Sequence, residues 1–297
     1  MNPFSLRPYV KKAIWGEERW VLSGMPGRES VTDDGRTLSE LLADMKDDLV
    51  GEPVYKRFGC RFPLLAKFID ARRDLSLQVH PDDALAKARH GSPGKTEMWY
   101  VVSAEPGAKI AAGFARPLSG EEYERLSSGD ATGLLQVVVR HSSCSGETFF
   151  LPAGTVHAIG GGNLIAEIQQ PSDVTYRLCD YGRLDADGRP RELHVELARE
   201  AVDLSASCSP VRYDRSAGRA SLASCEHFTV ERVVADGEAD VDFGEDSFVA
   251  ALCVDGGAVV NGVEVGQGGA LLVPAADRTL RIRGKATFLA AYIKHCE

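Results

Sequence analysis

A short pattern that occurs twice in the chain constrains the fold more than any other feature of the sequence. Residues 146–157, GETFFLPAGTVH, and residues 268–279, GGALLVPAADRT, share a turn glycine, three apolar residues, a proline and an alanine. A glycine before a short apolar run, with a proline at its end, is typical of a β-strand between two turns. The pattern therefore predicts a duplicated jelly-roll unit. The first copy ends in His157, whereas the second has Thr279 near that place.

The length of the chain and a change of texture near residue 205 predict two domains. A single hydrophobic core rarely extends past about 250–300 residues, and the chain has 297. Beyond residue 205, alternating segments punctuated by Gly and Asp predict strands, at 227–234, 247–254, 257–265, 269–273 and 279–293. We therefore expect a mainly β protein with two jelly-roll domains. Residues 1–205 form one, with a few helices inserted, and residues 206–297 form a degenerate second one.

Hydrophobic spacing places the elements of the first domain. Apolar residues at helical spacing predict helices over 37–49, 82–89, 119–128 and 192–204. Thr37 or Ser39 can cap the first helix, and Pro81 takes a favoured first-turn position of the second. Ser119 and Glu122 form a capping-box pattern at the third. Strands are predicted at 75–80, 98–102, 147–151, 155–159 and 163–170, whereas 133–140 is compatible with a helix or a strand.

The balance of charge limits the partners of the protein. The chain has 34 basic and 43 acidic residues, which leaves a net charge of −9, and it contains no basic run. A nucleic-acid-binding protein needs a basic face for the phosphates, so we expect no nucleic-acid partner. An anionic substrate must therefore be held by local cations.

The cysteines and the apolar segments indicate the compartment. The seven cysteines include no C-x-x-C pair, which is typical of thiols in a reducing compartment. The N-terminal residues lack the apolar region of a signal peptide, and no segment reaches the roughly 18 apolar residues of a membrane span. We expect a cytoplasmic protein without a membrane partner.

Four short segments carry side chains that can bind a metal ion. In residues 78–80 (Gln-Val-His) and 95–97 (Lys-Thr-Glu) the polar residues stand at i and i+2, so on a strand both side chains leave from the same face. His157 and Glu167 follow on predicted strands. Gln, His, Glu and His together make a donor set that zinc accepts. Because burying such groups unpaired would cost roughly 1–3 kcal/mol each, their place among apolar β-formers indicates a divalent-metal site.

Several longer motifs resemble one enzyme family. They are LSLQVHPDD (75–83), GKTEMWYV (94–101), LPAGTVHAI (151–159) and EIQQPSDVTYRLCDYGR (167–183), together with RPYVKKAIWG (7–16), PLLAKFIDA (63–71) and RELHVE (191–196). In these segments the chain resembles the class I mannose-6-phosphate isomerases, in particular their short bacterial form, which belong to the cupin superfamily. The resemblance spans most of residues 1–205, and the C-terminal third matches in general texture only. It implies that both jelly-roll domains are cupin-like.

The resemblance also implies roles for individual residues. The family's zinc ligands fall on Gln78, His80, Glu97 and His157, of which the last three are the assured ligands of the short bacterial members, and it implies one Zn²⁺ per chain. The family's active-site arginine falls on Arg177. Lys95 and Lys67 match lysines that line the sugar-phosphate pocket. Trp15, in the opening motif, is a further substrate-binding candidate.

The chemistry of aldose–ketose isomerisation fits these residue types. The reaction moves a proton between C1 and C2 through a cis-enediol or enediolate, so it needs an electrophile at O1 and O2 and a base. A divalent ion with an open position polarises these oxygens, and Arg177 can spread the developing negative charge or hold the substrate. Glu167 is a candidate base. Lys95 is its rival, because a neighbouring metal ion would favour the neutral amine, although Lys95 can instead pair with the substrate phosphate.

Three alternatives remain open on the sequence alone. The protein can be an isomerase of a different sugar or sugar phosphate, because only the contacts to the remote end of the substrate would differ. It can be a cupin that binds a metal and a sugar without turnover. A cupin-type dioxygenase is the third, although such enzymes favour histidine-rich ligation of iron. The expected partner is a small sugar phosphate, and the sequence does not determine the oligomeric state.

Overall fold

The computed structural model describes residues 2–185 and 187–294. Of the described residues, 42% lie in strands and 16% in helices, which confirms a mainly β protein with a few helices. The strands are β1 Phe4–Arg7, β2 Tyr9–Ala13, β3 Gly16–Leu22, β4 Val31–Thr32, β5 Leu65–Ala71, β6 Leu77–Val79, β7 Glu97–Ala104, β8 Lys109–Phe114, β9 Val138–Ser142, β10 Thr148–Leu151, β11 His157–Ile159, β12 Asn163–Gln169, β13 Tyr176–Cys179, β14 Arg219–Ser224, β15 Thr229–Asp242, β16 Val249–Val260, β17 Val263–Gly266, β18 Ala270–Val273 and β19 Thr279–Tyr292. The helices are α1 Leu38–Met45, α2 Asp47–Val50, α3 Glu52–Phe58, α4 Asp83–His90, α5 Gly120–Ser127 and α6 Val195–Arg199, with 3-10 turns at Thr132–Gln136 and Ala275–Asp277.

The chain groups into two compact units. Met1–Lys11, Arg19–Phe68 and Arg212–Glu297 supply the first unit, and Lys12–Glu18 and Ile69–Val211 supply the second. This grouping places most of the N-terminal segment with the C-terminal strands, whereas the predicted domains were residues 1–205 and 206–297. The predicted domain ranges themselves stay a prediction.

The first unit is built on one antiparallel sheet. Its strands lie in the order β14-β15-β19-β16-β18-β1-β4, and β17 pairs with β16. The predicted segment 279–293 is the single strand β19, and β15 extends the predicted segment 227–234 to Asp242, because it pairs with β19 from Thr229↔Tyr292 to Asp242↔Thr279. The predicted segments 247–254 and 257–265 divide differently, because β16 continues through both to Val260 and β17 covers only Val263–Gly266. Strand β14 was not predicted, since its sequence RASLAS has only one large apolar residue.

The hydrophobic core of the first unit is formed largely by side chains of its three longest strands, β15, β16 and β19. Val249 and Ala251 of β16 pack in one cluster with Phe288 and Tyr292 of β19. The buried members of this cluster are aliphatic and aromatic side chains together with the thiol of Cys253. Hydrophobic burial therefore accounts for the stability of this sheet.

The second unit contains two antiparallel arrangements of strands. Strands β13-β6-β11-β8-β9 form a five-stranded sheet in that order, and β10, β7 and β12 lie side by side. Side chains of the two arrangements meet in one apolar cluster, which includes Trp99, Phe149 and Ile165 from the second and Ile110 and Ile159 from the first. Gln78, Glu97, His157, Glu167 and Arg177, which are described below, lie on strands of these two arrangements.

The other face of the five-stranded sheet packs against helical segments. Leu77 and Val79 of β6 belong to a cluster that includes Tyr123 and Leu126 of α5 and Leu134 of the first 3-10 turn. The side chains of Leu77 and Val79 leave from one face of the strand, as its two-residue period requires. Gln78, which lies between them, is therefore left to the inner face.

Both copies of the repeated pattern have the same local conformation. Gly146 has φ +82° and Gly268 has φ +81°, a region that glycine enters without steric cost. Each glycine precedes a four-residue strand, β10 or β18, and each strand ends at a proline. His157 begins β11 and Thr279 begins β19, so the predicted correspondence of these two positions holds in the fold.

The predicted cap residues Thr37 and Ser119 cap helices α1 and α5. Thr37 caps α1 and forms a complete capping box with Glu40, but the predicted helix divides at Lys46, whose φ is +50°. Ser119 caps α5, whereas the Glu122 carboxylate pairs with Arg116 instead of closing the box.

Two helix predictions need correction. Pro81 precedes the cap residue Asp82 of α4 and so lies outside its first turn. The helix predicted over 192–204 covers only Val195–Arg199. The residues before it are held in another way, because the His194 N–H donates to the Arg177 carbonyl at 2.7 Å and the Arg177 N–H donates to Nδ1 of His194 at 3.1 Å.

Within the described residues, no helix is long and apolar enough to cross a membrane. The cysteines at 60, 144, 179, 208, 225 and 253 are free thiols. Cys296 lies outside the described residues.

Candidate metal centre and active site

Strand register brings three of the predicted site residues into one row. Gln78 on β6 lies directly opposite Arg177 on β13 and directly opposite His157 on β11. Side chains at directly opposite positions leave from the same face of a sheet. The amide nitrogen of Gln78 accordingly lies 3.4 Å from Nε2 of His157.

His80, Glu97 and His157 form a compact cluster in which the potential ligand atoms all lie within 4.8 Å of one another. The two Nε2 atoms of the histidines are 3.2 Å apart. Glu97 Oε1 lies 3.3 Å from Nε2 of His157, and Glu97 Oε2 lies 3.6 Å from Nε2 of His80. All three side chains are buried.

The hydrogen bonds of the two imidazoles fix which nitrogen faces the cluster. Nδ1 of His80 lies 2.9 Å from the Val174 carbonyl oxygen, and Nδ1 of His157 lies 2.8 Å from the Thr155 carbonyl oxygen. A carbonyl oxygen only accepts, so each Nδ1 carries the proton and each Nε2 presents a lone pair. This is the arrangement that histidine ligands of metal ions adopt.

Electrostatics keep His157 in the form that binds metals. Burial, and secondarily the positive charge of Lys95, lower the pKa of His157 from 6.5 to about 3. The neutral imidazole therefore predominates near pH 7. A pair of neutral imidazoles and a carboxylate is a donor set that suits zinc.

Lys95 places a cation among the same atoms. Its Nζ lies 2.5 Å from Glu97 Oε2, 3.0 Å from Nε2 of His80 and 3.8 Å from Glu167 Oε1. The side chain is only 5% exposed. Lys95 thus lies beside both a potential ligand and the candidate base.

Glu167 is held by a tryptophan that the sequence analysis did not single out. Trp99 lies directly opposite Glu167 on the neighbouring strand, and its Nε1–H donates to Glu167 Oε2 at 2.9 Å. The same indole meets the His157 ring edge-on, with centroids 5.2 Å apart. In the sequence, Trp99 stands two residues after Glu97, so both side chains leave from the same face of a strand. This spacing is the one sequence signal that could have placed Trp99 at the site.

A buried network fixes the segment that carries Lys95. Gln170 accepts from the Thr96 N–H at 2.8 Å and donates to Asp83 Oδ1 at 2.9 Å. Asp83 Oδ1 also accepts from the Gly94 N–H at 2.6 Å. Lys95 therefore lies between two anchored neighbours. The role of Gln170 could not be predicted from the sequence, because its partners are distant in the chain.

Arg177 lies on the same sheet face as the histidine and the glutamine. Its guanidinium donates to the Glu192 carbonyl at 2.7 Å, and its Nε has no hydrogen-bond partner among the described residues. Burial and the charge of Arg191 lower its pKa from 12.5, but an arginine stays cationic near pH 7. A cation with an uncommitted donor is suited to an anionic ligand.

Two further predicted residues lie in apolar or aromatic surroundings. Trp15 is buried in the cluster that contains Ile69 and Trp99. Lys67, in the other unit, is 3% exposed, and its Nζ lies 4.8 Å from the centroid of the Trp20 ring. Substrate binding by Trp15 and Lys67 stays a prediction.

Comparison with known proteins identifies what the chain is similar to. A family model described as the catalytic domain of phosphomannose isomerase type I matches residues 4–103. The mannose-6-phosphate isomerase of Streptococcus mutans is 31% identical over 323 residues, which cover 99% of this chain and 99% of that protein. The crystal structure of the mannose 6-phosphate isomerase from Bacillus subtilis is similar with a TM-score of 0.86 and 29% identity, covering 99% of this chain and 100% of that chain.

A more distant structure shares the fold. A mannose 6-phosphate isomerase bound with zinc and yttrium is similar with a TM-score of 0.79 and 16% identity, covering 99% of this chain and 100% of that chain. At this level of identity the similarity concerns the fold alone.

Proposed function

The chain belongs to the mannose-6-phosphate isomerase family, and on that premise we propose that it is a zinc-dependent aldose–ketose isomerase. Its substrates are mannose 6-phosphate and fructose 6-phosphate, interconverted through a cis-enediol or enediolate. The observation that carries this proposal is the cluster of His80, Glu97 and His157, whose ligand atoms lie within 4.8 Å of one another. Lys95 and Glu167 lie beside it.

His80, Glu97 and His157 would hold one zinc ion per chain, and Gln78 is the candidate fourth ligand. The two lone pairs at Nε2 and the buried carboxylate support this assignment. When bound, zinc supplies Lewis-acid polarisation of the substrate oxygens O1 and O2. The protein residues around it would bind and orient the sugar and transfer its protons.

The acid–base step requires a group that removes the proton from C2 of the aldose and returns it to C1. Glu167 is the candidate base, because Trp99 holds one of its carboxylate oxygens while the other lies 3.8 Å from the Lys95 ammonium. Lys95 is the rival base, or the group that exchanges a proton with O1 and O2. Geometry of this kind positions a proton donor and an acceptor on one substrate.

Arg177 would stabilise the negative charge that develops on the enediolate, because its guanidinium is cationic and carries an uncommitted Nε–H. Lys67 is proposed to line the sugar-phosphate pocket, and Trp15 is proposed as a substrate-binding residue. We propose that the reaction takes place in the cytoplasm, where a reducing environment would keep the cysteines as thiols.

Metal removal and restoration test the proposal. The purified protein is treated with a chelator, dialysed, and assayed for fructose 6-phosphate formation from mannose 6-phosphate before and after zinc is added back. We expect activity to disappear with the metal and to return with about one zinc per chain. Activity that survives complete metal removal would contradict the zinc-dependent mechanism.

A substrate screen separates the proposal from its alternatives. Turnover of a different sugar phosphate, with mannose 6-phosphate inert, would preserve the isomerase and change its substrate. Stoichiometric metal binding without turnover of any sugar phosphate would instead indicate a binding protein.

A further inference from the structure

A cavity lies on the reverse side of the sheet that carries His157. It has a volume of about 220 Å³, and Lys109, Ala111, Arg140, Ala158 and Tyr181 are among its lining residues. Ala158 follows His157 in β11, so its side chain leaves from the opposite face. The cavity, which we call the outer cavity, is therefore separate from the candidate metal centre.

Strand register explains why there is space at this point. Ala158 on β11 and Ala111 on β8 lie directly opposite each other, so two methyl groups form the floor. Arg140 on β9 lies directly opposite Ala111 on its other side. The apolar side chains of Leu135 and Val138 complete part of the wall.

Two cations lie close together at the outer cavity. Lys109 and Arg140 are diagonal neighbours on paired strands, a relation that separates their Cα atoms by about 7–8 Å and lets long side chains meet. Neither side chain forms an ion pair with a carboxylate in the described part of the chain. Two like charges that line one cavity repel each other, so an anion bound between them would be stabilised.

Tyr181 adds a third donor. Its backbone has φ +56°, a conformation that is uncommon for a residue other than glycine, and such strain occurs at ligand sites. Burial, with the charge of Asp74, raises its pKa to about 12, so the hydroxyl stays protonated. No other described residue accepts a hydrogen bond from it.

One carboxylate also lines the outer cavity. Asp74 Oδ1 accepts from the Gly161 N–H at 2.7 Å, which offsets part of its charge. The lining charges are then two cations against one engaged anion. The outer cavity is therefore positive on balance.

We propose that the outer cavity binds a small organic anion that carries a phosphate or carboxylate group, with Lys109, Arg140 and Tyr181 as its donors. Pockets for drug-sized ligands measure about 300–1,000 Å³, so a cavity of about 220 Å³ suits a smaller metabolite. This site is independent of the proposed isomerase reaction.

Chemical footprinting of the full, zinc-loaded chain tests the proposal locally. The rate at which an amine-acylating reagent modifies Lys109 is measured by mass spectrometry, with and without inorganic phosphate or citrate at tens of millimolar. We expect at least one of these anions to slow modification of Lys109 on the order of fivefold. Lys87, an exposed residue of α4, is the internal control and keeps its rate.

Two variants decide whether the protection arises in the outer cavity. Arg140→Ala should abolish protection of Lys109, and Tyr181→Phe should weaken it while removing only a hydroxyl. Circular dichroism confirms that each variant is folded. The proposal is overturned if neither phosphate nor citrate protects Lys109 in the wild-type chain, or if Arg140→Ala is protected equally.

Discussion

Two imidazole nitrogens that face each other without a proton between them define the chemistry of the candidate centre. Nε2 of His80 and Nε2 of His157 are 3.2 Å apart, and both rings use their Nδ1 proton elsewhere. Two lone pairs at this distance repel unless a cation lies between or beside them. The Lys95 ammonium, 3.0 Å from Nε2 of His80, supplies such a cation in this structure, and a bound zinc ion would supply a stronger one.

Substitution of a proposed zinc ligand and substitution of the proposed catalytic arginine should have different effects on zinc content and turnover. His157→Ala removes a buried donor and should abolish both zinc binding and turnover. Arg177→Ala should retain about one zinc per chain and lower kcat by roughly 10²–10³-fold, which is typical for the loss of one group that stabilises transition-state charge. Mass spectrometry measures the metal content, and the rate of fructose 6-phosphate formation from mannose 6-phosphate gives kcat.

Equal loss of metal in the two variants would contradict these roles. Arg140→Ala, which alters an exposed cation on the reverse of the same sheet, is a matched control for replacing an arginine. We expect it to keep both zinc and turnover.

The segment before β7 illustrates how distant elements position a short loop. Gln170, just after β12, holds Thr96 and Asp83, and Asp83 holds Gly94. Three hydrogen bonds thus fix the backbone on both sides of Lys95. Net hydrogen-bond contributions to stability are about 0.5–1.5 kcal/mol each, but leaving a buried partner unsatisfied costs about 1–3 kcal/mol.

Replacing Gln170 should therefore affect turnover more than metal binding. We expect Gln170→Leu to lower kcat on the order of tenfold, because Lys95 is no longer held, while zinc content stays near one per chain. Steady-state kinetics and metal analysis measure both effects. The exposed Gln136, in the first 3-10 turn, provides the control Gln136→Leu, and unchanged kcat in Gln170→Leu would contradict the positioning role.

The loop after β13 depends on one buried carboxylate. Asp180 accepts from Arg191 and Arg183. Burial alone would raise its pKa, but the hydrogen bonds from Arg191 and Arg183 lower the pKa below the usual 3.8. A folded-state pKa below the unfolded value contributes stability above the unfolded value, and this contribution is lost as the pH falls through the folded one.

Asp180→Asn should accordingly destabilise the protein near pH 7 by roughly 2 kcal/mol, the size of a hydrogen bond to a charged group. The difference from the wild-type chain should shrink as the pH falls below about 4. Urea unfolding at a series of pH values measures it. A difference that stays constant down to pH 3 would exclude the ion pairs as its cause.

Sequence spacing anticipated the site better than it anticipated some of the surrounding elements. The i, i+2 pattern predicted that Lys95 and Glu97 lie together, and they are in contact, although Lys95 lies in the segment before β7 and not on the strand. Spacing failed for α6, where the preceding residues bond to β13 through His194. Trp99 and Gln170 could not be assigned either, because their roles depend on pairings between strands far apart in the sequence.

Zinc binding should stabilise the folded chain as a whole. A ligand that binds only the folded state adds RT ln(1 + [L]/Kd), about 2.7 kcal/mol at a free concentration of 100 Kd. We expect the Tm of the chelator-treated protein to rise by several degrees when zinc is added. Differential scanning calorimetry measures the shift, and it should be absent in His157→Ala. A Tm that does not respond to zinc in the wild-type chain would contradict a folded-state metal site.

The contacts of Trp99 give the protein a built-in optical reporter. Its indole donates to Glu167 and meets the His157 ring at 88°, so the emission of this fluorophore depends on the charges beside it. Its fluorescence should therefore change as the pocket fills, which a stopped-flow instrument can follow without a dye or a coupling enzyme.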